Sequence, residues 1–188
     1  CIADAVGRRT APGGYGAAAV FGGLASGGTT LLKAFQDAAG VFTDETTAAN
    51  DGTANDINLL RASPVVGDAY YFGGSAPFGD LQLTMGTNGA GTWTITWEVW
   101  TGAAWTAVAI NSDAISNFRG GIGNKTLTYE MPATWVQNAV NSSTAYWLRA
   151  RLSAFTSMSI RPLGDTALFR RYMDVPATAA TALDVAGV

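Results

Sequence analysis

The chain of 188 residues contains no histidine. That absence removes the usual general base near neutral pH, the Ser–His–Asp triad and the commonest metal ligand together. There is one cysteine, Cys1, so no internal disulfide forms and a zinc site built from Cys and His is excluded. A cysteine with no histidine to activate it is also a poor nucleophile. At position 1 it reads either as a lipidated residue left by processing or as the place where the numbering begins, and the second reading is favoured. Charge is scarce as well. Charged residues make up 13% of the chain, about half the usual share, and the net charge is −3. The only basic doublets are Arg8-Arg9 and Arg170-Arg171, and no basic stripe interleaved with aromatics runs along the chain, so no nucleic-acid partner is expected. No run of ~20 apolar residues is present to cross a membrane as a helix; the longest small apolar stretch, Ala17 to Leu24, is broken by Gly22-Gly23.

What the chain has instead is apolar mass: 48% hydrophobic residues, with six tryptophans. A core of good size can be buried, and the surface must then be made of Thr, Ser, Asn, Gly and Ala. Such a surface suits a protein that works inside assemblies, where charge would have to be desolvated. Composition divides the chain into three regions. Residues 1–40 are dominated by Gly and Ala and read as an arm, with one short helix expected over Thr29–Ala39, where Leu31, Leu32 and Phe35 share a face and Gly40 supplies a stop. Residues 41–169 are rich in Thr, Trp, Tyr and β-branched residues. Residues 170–188 return to Ala, Thr and Val around Pro176 and read as an extended tail.

The middle region reads as strand after strand. In Thr92–Trp100, TWTITWEVW, period-2 alternation puts Trp93, Ile95, Trp97 and Val99 on one face and Thr94, Thr96, Glu98 and Trp100 on the other. Tyr146–Ser153 repeats the pattern, with Tyr146, Leu148, Ala150 and Leu152 opposite Trp147, Arg149 and Arg151. Further strands are expected at Ile57–Arg61, Ala69–Gly73, Leu81–Met85, Ala104–Ile110, Thr126–Met131, Met158–Arg161 and Ala167–Phe169. Turn chemistry separates them at Asn88-Gly89, Thr101-Gly102, Gly120-Gly121 and Asn141-Ser142. About eight short strands without long helices predict an all-β fold, an antiparallel β-sandwich of jelly-roll type, with extended arms at both ends.

Little of this carries chemistry. The loop FTDETTAANDGTANDIN, with Asp44, Glu45, Asp51, Asn55 and Asp56, offers oxygen ligands for calcium, but its spacing does not match an EF-hand and a turn-rich connection is the plainer reading. Glu98 and Glu130 lie on strands near tryptophans, yet nothing in the sequence brings the two carboxylates together as glycoside hydrolysis requires. The glycine pairs lack the strand–loop–helix setting of a phosphate loop. No catalytic residue, cofactor or metal site is therefore assigned. Candidate partner-facing residues are Trp100 and Trp147, which alternation places away from the core, together with Leu31, Phe35 and Phe169 beside the arms. Asn124-Lys125-Thr126 and Asn141-Ser142-Ser143 fit the N-glycosylation pattern, a short motif that arises by chance.

Five segments follow one another in a suggestive order: GDAYYFGGSAPFGDLQLTMGT, TWEVWTGAAWTAV, the Asp113–Phe118 turn, YEMPATWV and AYWLRARL. This order resembles a β module found in structural proteins of tailed-bacteriophage virions, over about residues 41–163. The resemblance implies a non-enzymatic virion component on a capsid surface or tail, such as a capsid decoration (cement) protein. Its implied partners are copies of itself, a trimer among the options, and a major capsid or tail protein. Small-residue arms fit that role, because ordering them costs entropy that only contacts within an assembly offset. The alternatives are a carbohydrate- or receptor-binding module at a tail or cell surface, and a bacterial surface lipoprotein or filament subunit.

Overall fold

The computed structural model describes residues 28–170; Cys1, both basic doublets apart from Arg170, residues 1–27 of the expected N-terminal arm and 171–188 of the expected tail lie outside them. Among the described residues, thirteen strands and one short helix follow in order. They are β1 (Thr29–Thr30), β2 (Lys33–Ala38), β3 (Val41–Asp44), α1 (Thr46–Asp51), β4 (Ile57–Asn58), β5 (Ala69–Gly74) and β6 (Asp80–Thr87). Then come β7 (Ala90–Trp100), β8 (Trp105–Ala107), β9 (Ile110–Asp113), β10 (Gly123–Tyr129), β11 (Asn138–Val140), β12 (Ser143–Ile160) and β13 (Leu163–Arg170).

The strands form two antiparallel sheets packed face to face. The smaller runs β1-β13-β6-β10-β9 with β4 also on β13, and the larger β3-β2-β5-β12-β7-β8 with β11 also on β12. Eight of them, β4, β5, β6, β7, β8, β10, β12 and β13, pair as β4-β13-β6-β10 and β5-β12-β7-β8. Numbered in sequence these are 1-8-3-6 and 2-7-4-5, the order of a jelly roll, so the expected β-sandwich is the fold. Between the sheets lie Tyr70, Phe72, Leu81, Leu83, Trp93, Trp97, Val99, Leu148 and Leu152, all buried. Alternation in β7 and β12 thus puts the expected residues inward.

Four features depart from the sequence reading. The helix expected over Thr29–Ala39 is instead β1 and β2, so the sandwich begins at Thr29 and not at residue 41. Leu31 and Phe35 are four apart, a spacing that fits one helix face, but here Leu31 points into the main core and Phe35 to the other side of the sheet. Tertiary pairing decides the case: the Leu32 N–H donates to the Gly73 carbonyl, and β2 aligns along β5 from Lys33↔Gly73 to Asp37↔Ala69. The polar loop holds α1, whose Ala49 is fully buried. Ala104–Ile110 is two strands in different sheets, and Val108 turns the corner between them with its N–H on the Trp97 carbonyl. Met158–Arg161 is mostly the far end of β12, which bends through three register shifts along β7.

The connection from β9 to β10 crosses the open side of the sandwich. Ser116, Asn117 and Phe118 adopt consecutive left-handed conformations, φ 48°, 58° and 64°, each costing a non-glycine residue about 1–2 kcal/mol. Burial offsets this: Ile115 and Phe118 are fully enclosed, and the Phe118 ring meets Trp97 edge-on at 5.9 Å.

Glu45, beside α1, is a buried carboxylate. Asn58 donates to it from its backbone N–H at 2.8 Å and its side-chain amide at 2.6 Å. Burial raises its pKa above the ordinary range, against the opposing pull of Asn58, Tyr70 and Arg161. A carboxyl with a raised folded-state pKa binds its proton more tightly folded than unfolded, so its contribution is most favourable at low pH and declines as pH rises through the folded pKa. Urea titrations from about pH 4 to about pH 7 should show the parent losing stability relative to Glu45→Gln across that rise. Parallel curves would refute the assignment.

Candidate interaction surface

A sheet with one face in solvent normally alternates apolar and polar residues. The larger sheet departs from this at β5. On β5 every residue from Ala69 to Gly74 is buried, because both of its faces are covered. Its inward side chains join the main core, while its outward ones, with Phe35, Val140, Ala145 and Trp147, form a second apolar cluster on the outside of the sheet.

Trp147 is the centre of that cluster and is fully buried. Its ring lies against Phe35 at 5.5 Å and meets Tyr71 edge-on at 6.1 Å. Space for it comes from Gly73 on the neighbouring strand, where any Cβ would fall 2.6 Å from the ring. The indole N–H donates to the Asn138 carbonyl of β11 at 2.9 Å. The short β11–β12 hairpin, turned by Asn141 and Ser142 at positive φ, brings that acceptor into place.

Beside the cluster sits a charged group. Glu98 on β7 is buried, and Arg149 and Arg151 of β12 both donate to it, at 2.6 Å and 2.9 Å. The register explains the meeting, since Arg149 pairs directly with Glu98 and Arg151 is two residues along on the same face. The Arg149 guanidinium stacks over the Trp105 ring at 4.2 Å and also donates to the Tyr71 hydroxyl at 3.3 Å. Hydrogen bonding to Glu98 raises the pKa of Arg151, and burial raises that of Tyr71. One carboxylate between two guanidiniums leaves this patch with one net positive charge. Trp100 meets Trp105 edge-on at 5.7 Å; these two and Phe42 are the partly exposed aromatic rim. The arrangement can stack and ion-pair.

Of the five candidate partner-facing residues, only Trp100 keeps partial exposure. Trp147, Leu31, Phe35 and Phe169 are 0%, 4%, 2% and 3% exposed, which corrects their assignment. Alternation told correctly that Trp147 points away from the main core, but outside the sheet it meets Phe35. Leu31 and Phe169 point between the sheets. Trp105, Arg149 and Tyr71 were not singled out; the alternation of Tyr146–Ser153, which puts Arg149 on the same face as Trp147, was a signal for Arg149 alone.

No family model, curated protein or solved structure matches the chain. The geometry alone bears on the other candidates. Glu98 is engaged by two arginines in the larger sheet, while Glu130 follows β10 in the smaller one and is exposed, so the two do not face one cleft. The loop carboxylates are taken up locally: Asp44 by Thr46, Glu45 by Asn58, Asp51 by Thr53. Among the described residues no three acidic, cysteine or histidine side chains gather as a metal site, and no helix there is long and apolar enough to cross a membrane.

A concave feature lies at one corner. There Thr29 pairs with Phe169 at the outer end of the smaller sheet, and Gly28 lies against the Leu168 side chain. A cleft of about 300 Å³ opens next to them, lined by Thr29–Leu32, Gly74–Ala76, Phe78 and Phe169.

Proposed function

We propose that this protein is a non-enzymatic structural component of a tailed-phage virion, a capsid decoration subunit that binds and stabilises a protein shell. The observation that carries the reading is the β1–β13 pairing, which sets the first and last described strands of the sandwich side by side at one corner. Residues 1–27 and 171–188 are rich in Gly, Ala and Thr, and contacts made through them would gather at one pole of a self-supporting sandwich. That is the geometry a subunit anchored at one end requires. Two further points support it. The motif order that resembles phage structural modules falls on β5 to β12, and the polar groups of the larger sheet's outer face bond to one another. Copies of the same chain, as in a trimer, and a major capsid or tail protein are the proposed partners.

The test compares the full chain with a form lacking residues 1–27 and 171–188, for binding to undecorated shells. The truncated protein should keep its cooperative melting and lose about tenfold or more in apparent affinity. Unchanged decoration by the truncated sandwich would overturn the proposal. The partly exposed Trp100–Trp105 pair beside Arg149 favours a second reading, a carbohydrate- or receptor-binding module. It requires a glycan that shifts tryptophan fluorescence in the parent and not in Trp100→Ala, and a blank glycan array would dismiss it.

A further inference from the structure

We infer that the loop of residues 114–120 is a guard on the open edge of β7, closing it against pairing with the same edge of a second copy. Along one side β7 is covered by β12 from Ala90 to Val99. On its other side β8 reaches only Glu98, Val99 and Trp100. The edge from Gly91 to Trp97 therefore has no strand beside it, and its outward backbone groups need other partners.

The loop supplies them with side chains. Arg119 donates one guanidinium nitrogen to the Gly91 carbonyl at 2.7 Å and another to the Trp93 carbonyl at 3.1 Å. The side-chain carbonyl of Asn117 accepts the Ile95 N–H at 2.6 Å, and the Asn117 backbone carbonyl accepts the Trp93 indole N–H at 2.8 Å. The Arg119 guanidinium also lies 5.0 Å from the Trp93 ring centre. Gly91, Trp93 and Ile95 are the alternate residues whose peptide groups an incoming strand would engage. The left-handed turn at Ser116–Phe118 allows Ile115 and Phe118 to be buried while Asn117 and Arg119 reach β7.

The sequence behind this edge explains why a guard is needed. Ala90–Trp97, AGTWTITW, has no charge and no proline, and its threonines alternate with Trp93, Ile95 and Trp97. Such a segment on an open edge is a template for self-pairing. An identical edge can meet it antiparallel, with every outward N–H and C=O matched, so the occupant excluded is another copy of β7. Arg119 sets a charge where the segment has none, as edge strands commonly require. The inference is independent of what the larger sheet's outer face binds.

The test is an Asn117→Ala/Arg119→Ala double variant, followed by sedimentation velocity over a concentration series with thioflavin T fluorescence. It should self-associate at a concentration about tenfold below the parent's threshold, with a gain in dye signal. Adding Thr94→Lys, which returns a charge to an exposed position on the same strand, should restore the parent's threshold. Parent-like sedimentation by the folded double variant overturns the inference. So does association that Thr94→Lys leaves unchanged, because the contact then runs through another surface. Should the double variant lose its near-ultraviolet circular dichroism, Arg119→Gln alone decides: a lowered threshold supports the guard and a parental one refutes it.

Discussion

Trp147→Ala should lower the unfolding free energy by about 3–5 kcal/mol, the range for emptying a fully buried tryptophan site. The side chain has no solvent exposure, so its whole apolar area returns to water on unfolding. Truncation also leaves the Asn138 carbonyl without its indole donor. Collapse into the space is limited by the fixed β5 and β2 strands beneath Phe35 and Tyr71. Chemical denaturation followed by far-ultraviolet circular dichroism measures the loss, and a change below about 1 kcal/mol would mean the outer cluster is not a true second core. Gly73→Ala examines the same packing from the opposite side. An added methyl would fall 2.6 Å from the Trp147 ring, an overpacking expected to cost about 1–3 kcal/mol. In the Trp147→Ala background that penalty should largely vanish, so the two changes should be strongly non-additive.

Glu98→Ala should be the next most damaging change, at about 2–3 kcal/mol. Breaking a buried pair leaves its partner charge without compensation, and here one carboxylate serves two guanidiniums. The expected cost is below the full buried-pair range because the Arg149 and Arg151 side chains keep 16% and 31% of their exposure, and solvent screens part of the loss. Arg149 should then leave the Trp105 ring, so a shift in tryptophan emission should accompany the loss. Breaking the exposed Lys33–Asp44 pair, at 37% and 49% exposure, should cost well under about 1 kcal/mol. If the two pairs proved equally cheap to break, Glu98 would be an ordinary surface carboxylate and not the clasp of β7 to β12.

Much of the architecture was readable from period-2 alternation. Thr92–Trp100 and Tyr146–Ser153 became the central strands β7 and β12 because alternation there reports one buried face without ambiguity. The reading failed where period or composition lost its meaning. Leu31, Leu32 and Phe35 fit one helix face, and only pairing with β5, some 40 residues later in the chain, selects the strand and sends Leu31 and Phe35 to opposite sides. Trp147 was correctly placed off the core face, but alternation says nothing about whether that face meets water. Its enclosure depends on Phe35, Tyr71 and β11, which are remote in sequence. The arginine patch was legible only in half: Arg149 and Arg151 share a face by spacing, while Glu98 reaches them through register, a property no local window contains. The loop of residues 114–120 showed its turn residues but not its side-chain pairing with β7, since nothing in Asn117 or Arg119 names a partner 22–28 residues away.

The antiparallel contact of Thr29 with Phe169 and Thr30 with Leu168 also determines how mechanical load would travel. Tension drawn through both flanking segments would enter the molecule at neighbouring points and leave the long central strands almost untouched. The first element to feel it would be this two-residue ladder, peeled apart bond by bond instead of sheared along its length. A force-extension trace on the full chain should show that small early opening before any rupture of the sandwich.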